Sequence, residues 1–126
     1  MLSLAAILAG LGLVAGRPVG RPLPAVHPAR VWPGQGDPAV ERARLCIIQR
    51  EAGGDYSAVD PTGTWFGAYQ LQLRTSAFAA RRMHRPELAR VPANRWSAAD
   101  QDAAFYVVYD RGRGRHHWFG GRFPCF

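Results

Sequence analysis

Apolar residues recur at Val40, Ala43, Ile47 and Ile48, three and four positions apart, which is the spacing of one helix face. Asp37 followed by Pro38 marks the start. A carboxylate there can accept the free amide hydrogens of the first turn, and proline is tolerated at the first helical position. Gly53-Gly54 ends the run. The helical period then disappears, and Asp55 to Gly67 reads as short extended pieces around an Asp60-Pro61-Thr62-Gly63 turn. Ser76 can cap a second helix reaching His84, anchored by Phe78 and Met83 and closed by Arg85-Pro86. Ser97 with Asp100 carries a capping signal for a third helix to about Asp110, with Ala104, Phe105 and Val108 turned inward. Together these elements predict an α+β domain, mainly helical, with a small β region after the first helix.

The chain upstream has a different character. Met1 to Gly16 has no charged side chain and is shorter than the ~20 apolar residues a spanning helix needs, so it reads as a signal peptide or N-terminal hydrophobic leader. A basic n-region is missing, so either the start lies upstream or the leader stays on the chain as a membrane anchor. Residues 17–36 hold five of the ten prolines and three arginines without an acid, the composition of an extended linker. Residues 37–126 remain as the folded domain.

Charge sharpens the division. The formal net charge is +7, and every basic side chain apart from the histidines is arginine. Three of the 16 arginines precede residue 37 and all 9 acids follow it, which places +3 on the linker and +4 on the domain. On an exported chain this points to an anionic surface, such as a cell wall or acidic lipid headgroups. Nucleic acid fits less well: the Arg-Gly segment is short and has no interleaved aromatics for base stacking.

Glu51 extends the apolar spacing of the first helix into its last turn. Burial and the negative helix end both disfavour a carboxylate there, so the position predicts a raised pKa, suited to a general acid near neutral pH. The bland alternative is an exposed glutamate beside a glycine pair.

The segments Ile47 to Tyr56, Asp60-Pro61-Thr62-Gly63 and Gly67-Ala68-Tyr69-Gln70-Leu71 together resemble the actinobacterial transglycosylase-like domain. That family is close to the resuscitation-promoting factors and belongs to the lysozyme-like superfamily. The resemblance continues through Arg85 to Leu88, Ser97 to Asp102 and Trp118-Phe119-Gly120-Gly121, covering roughly residues 38–125. It implies a compact lysozyme-like domain that cleaves the β-1,4 bond between N-acetylmuramic acid and N-acetylglucosamine in peptidoglycan, with Glu51 as the catalytic acid. Ala52 stands where the family usually has Ser, and Asp60 where it often has Asn. The Arg111 to His117 run has no counterpart.

Most glycosidases use two carboxylates. Asp55 and Asp60 are nearby in sequence, but neither spacing compels a role. The resemblance implies a single-Glu mechanism in which the substrate's acetamido group attacks the anomeric carbon, and the reaction ends in hydrolysis or in an anhydro-sugar. Sugar binding needs flat apolar faces with a few directed hydrogen bonds. Trp65, Tyr69 and Trp118 can supply faces, Gln70 an amide, and Asp60 a charge near the cleft. The aromatic residues also fit a core, Trp118 as readily as a cleft.

In an exported chain Cys46 and Cys125 pair, bracing the C-terminal tail against the helix of Glu51. His116-His117 are adjacent, with no ligand at metal spacing, so neither a metal nor another cofactor is expected. The sequence thus predicts a secreted, wall-associated, monomeric enzyme acting on peptidoglycan glycan strands. A non-catalytic wall-binding or signalling module on the same fold is the alternative.

Overall fold

The structure is a computed structural model that describes residues 30–121 and 123–126. The hydrophobic leader and most of the linker lie outside the described residues. Three helices carry the fold: α1 (Pro38–Ala52), α2 (Leu73–Arg82) and α3 (Ala98–Tyr109), with short 3-10 turns at Pro86–Leu88, Ala93–Arg95, Asp110–Gly112 and Arg115–Trp118. None of the described helices is long and apolar enough to cross a membrane.

Helix α1 forms where its pattern places it. The Asp37 carboxylate accepts from the amides of Ala39 and Val40, Gly53 closes the helix at φ 59°, and Val40, Ala43, Ile47 and Ile48 are buried. Helix α3 is capped by Ser97, whose side chain accepts from the Asp100 amide. Its inner face places Phe105 at the centre of the core, stacked on Tyr69 and Tyr109 with ring centroids 5.1 and 5.0 Å away.

Three expectations are corrected, two of them in α2. Helix α2 begins at Leu73, and Ser76 lies inside it, buried, with its hydroxyl donating to the Leu73 carbonyl. A serine that bonds back to the preceding turn is not a cap. Phe78 on the same helix is 46% exposed, while Met83 is buried.

The small β region is also absent as strand: between α1 and α2 there are only isolated antiparallel bridges, Val59 to Phe66 and Phe66 to Leu71. The cause is local. The Asp60 carboxylate accepts from the amides of Thr62, Thr64 and Trp65, which removes the donors a ladder needs to grow. The segment is a loop pinned by one carboxylate.

Residues 30–36 pack on the domain. Arg30 donates to the Met83 carbonyl, Trp32 and Gln35 form a turn, and the Gly36 amide donates to Glu41. Gly34 is required there: at φ +73° a Cβ would meet Val40 at 2.9 Å.

A polar cluster joins α1, α3 and the connecting loop. Arg44 pairs with Glu41 at 2.8 Å, Tyr106 donates to Glu41, and Tyr56 and Tyr69 both donate to Asp102, at 2.7 and 2.6 Å. Gln101 makes a second internal network. It accepts from the Ala68 amide and donates to the carbonyls of Tyr56 and Trp96.

Candidate active site

Glu51 sits in the last turn of α1 with its side chain 24% exposed. An apolar enclosure was expected around it; the carboxylate is instead ion-paired to its neighbour Arg50, 2.7 Å from Nη2, with Nε also donating to the same oxygen at 2.9 Å. Arg50 is the more buried partner, its side chain only 3% exposed. Its remaining donors reach the C-terminal tail, with Nη2 donating to the Trp118 carbonyl at 2.6 Å and Nη1 to the Phe123 carbonyl at 3.0 Å. Gly121 lets the fork lie this close, because a Cβ there would stand 2.8 Å from Arg50 Nε.

The tail is also held covalently. Cys46, five positions before Glu51, is bonded to Cys125, 79 residues along the chain, with Cα atoms 5.6 Å apart. Disulfide and guanidinium therefore fix the tail to the same helix. Against the guanidinium lies a depression of about 380 Å³, lined by Arg50, Trp118, Gly120, Gly121, Pro124 and the phenylalanines Phe119, Phe123 and Phe126. These phenylalanines are 64%, 46% and 46% exposed, and the Phe126 ring packs on Phe119 and Tyr109 with centroids 5.9 and 6.2 Å away.

The other anticipated residues fall in two groups. Tyr69 and Trp118 are core, 1% and 3% exposed, and the Trp118 indole donates to the Tyr69 carbonyl at 3.0 Å. Their rings face Phe105 and one another's elements, so they brace the tail. Gln70 is half-buried, at φ 48°, and its amide donates to the Gly67 carbonyl. Trp65 remains open, 40% exposed, on the loop that Asp60 organises.

Both neighbouring aspartates bond within their own turns. The Thr62 hydroxyl, with the amides of Trp65, Thr64 and Thr62, outweighs a small burial effect and holds the Asp60 carboxyl down at about 2. The Ser57 hydroxyl and amide hold Asp55 below the usual carboxylate range. Both are turn-forming groups: Asp60 has both oxygens engaged, Asp55 only Oδ1. Among the described residues no group of three or more His, Cys, Asp or Glu is placed to hold a metal ion.

Arg50, Phe119, Phe123 and Phe126 were not singled out from the sequence. The available signal was the tail itself, where four aromatics flank a glycine pair and a cysteine whose partner lies on α1. No family model, curated protein or solved structure matches the chain.

Proposed function

We propose that the chain is a lysozyme-like, peptidoglycan-cleaving glycosidase of the transglycosylase or muramidase type. It acts on the β-1,4 bond between N-acetylmuramic acid and N-acetylglucosamine, outside the cell or at the wall. The observation that carries the reading is the position of Glu51 at the exposed end of α1, joined through Arg50 to an open, aromatic-lined depression. Exposed phenyl faces beside one directed carboxylate are what a glycan site requires.

The mechanism uses one carboxyl group. Arg50 engages Oε1 and fixes the carboxyl plane, so the proton delivered to the leaving oxygen travels on Oε2. With Asp55 and Asp60 committed to their turns, the substrate's acetamido group is the nucleophile, a known departure from the two-carboxylate scheme. Glu51 then takes a proton from water, or from the muramoyl 6-hydroxyl when the product is an anhydro-sugar.

A non-catalytic wall-binding module is the second reading, and the same ion pair favours it: a glutamate gripped by arginine also serves as a structural clamp. Digestion of purified peptidoglycan by the full chain and by Glu51→Gln, with mass spectrometry of released muropeptides, separates the two. Release by the wild type alone is expected. No release by either protein overturns the enzymatic reading, and equal release overturns the role of Glu51.

A further inference from the structure

A cavity of about 540 Å³ shares no residue with the depression that Arg50 lines. It lies where the 30–33 segment crosses α2 and the end of α3, and the Arg113 to His117 turns form its wall. Two of its aromatic rings each carry a guanidinium on one face. The Arg30 guanidinium lies 5.0 Å over the Trp32 ring and Arg82 lies 5.4 Å over Phe78. Stacking of this kind fixes each guanidinium plane and leaves its N–H edges pointing outward.

Three arginines face this volume against one acid. Arg113 is engaged with Asp110 through two hydrogen bonds, at 2.9 and 2.8 Å. Arg30 uses one nitrogen on the Met83 carbonyl, and Arg82 has no ion pair or hydrogen bond to the described residues. Burial, and then the neighbouring His116, hold His117 below the usual histidine range, so near neutral pH it is an uncharged hydrogen-bonding group.

We propose that this groove is a second binding site, independent of the Glu51 site, and that it takes a phosphodiester group of an anionic polyol polymer. The two guanidinium groups with spare donors come from different elements and face one space. A tetrahedral phosphoryl group offers acceptors to both, whereas a carboxylate offers them in one plane. A guanidinium already occupies one face of Trp32 and of Phe78, which leaves fewer stacking faces for nucleic-acid bases. The Arg-Gly run positions this wall: Gly114 is buried against α3, where a Cβ would meet the Val108 carbonyl oxygen at 1.7 Å.

The test is titration calorimetry of the intact, disulfide-bonded chain with poly(glycerol phosphate), poly-aspartate and oligothymidylate. Arg82→Gln alone and Arg30→Gln/Arg82→Gln are compared with Arg74→Gln/Arg90→Gln, which has the same net charge as the groove double variant and lies outside the groove. Losing the spare charge-assisted bonds should weaken poly(glycerol phosphate) binding about tenfold or more in the groove double variant. Arg82→Gln breaks no hydrogen bond or ion pair of the described residues, only the guanidinium contact on Phe78, and an unchanged urea midpoint assigns its loss of binding to the groove. Absence of binding by the wild type, or equal loss in both double variants, overturns the proposal. Equally tight poly-aspartate overturns the phosphoryl preference, and equally tight oligothymidylate overturns the polyol.

Discussion

The Arg50 guanidinium holds Glu51 and the Trp118 carbonyl at once, 2.7 Å from the carboxylate oxygen and 2.6 Å from the carbonyl oxygen. Position of the tail and orientation of the carboxylate are thus a single arrangement. Replacing Arg50 with Met should leave Glu51 and two tail carbonyls without their partner, at a cost of about 3 kcal/mol, since hydrogen bonds to charged groups are worth ~1.5–3 each. Arg50→Lys keeps a charge but loses the planar fork, so it should recover only part. Urea unfolding measures both, and a midpoint for Arg50→Met equal to wild type would show that the tail is anchored elsewhere.

This arrangement was not legible in the sequence, for a geometric reason. Adjacent residues on a helix do not face each other, so no helical spacing rule pairs Arg50 with Glu51. The carbonyls that bring them together lie 68 and 73 residues further along. What could be read were elements with chemical end-marks: α1 between Asp37 and Gly53, and α3 from Ser97. Helix α2 has an uncapped start at Gln72, so Ser76 was a more attractive but false signal. Phe78 breaks the inward pattern because Arg82 covers its ring instead of the core.

The second hold on the tail is covalent. Reduction, or Cys46→Ser with Cys125→Ser, opens a loop of 79 residues. The chain-entropy model assigns such a loop about 4.5 kcal/mol. For a domain of this size that corresponds to a fall in Tm on the order of 20 °C. Calorimetry with and without reductant reads it directly, and an unchanged Tm would exclude the bridge as a stabilising element.

Gln101 satisfies three main-chain groups from the interior, one at each of Ala68, Tyr56 and Trp96. Gln101→Leu preserves much of the volume but orphans all of them. Each buried unsatisfied group costs ~1–3 kcal/mol, so a loss of about 3 kcal/mol or more is expected. Gly67→Ala should also destabilise. It needs φ +78° and would bring a Cβ within 2.3 Å of Gln101 Oε1. Substitution at the exposed Trp65 serves as the contrast, and denaturant midpoints close to wild type are expected there.

The alkaline limit of the fold follows from its tyrosines. All four of them ionise later than an ordinary phenol, with burial as the first cause in each. Tyr56 and Tyr69 also donate to the Asp102 carboxylate, and Tyr106, pushed up to about 12, donates to Glu41. A phenolate could not donate either bond and would stand against a carboxylate. Folded values above the unfolded value of ~10 mean that the native state retains protons the unfolded chain has lost. The stabilisation is therefore fully present below pH ~10 and disappears as pH rises toward 12. Absorbance at the phenolate band should stay flat through pH 10 and then rise steeply together with loss of helical circular dichroism. Tyr106→Phe should reduce the amplitude of that rise by one phenol. Gradual ionisation near pH 10 in a chain whose circular dichroism is unchanged would mean that these hydroxyls are open to water and that the Asp102 and Glu41 contacts do not hold in solution.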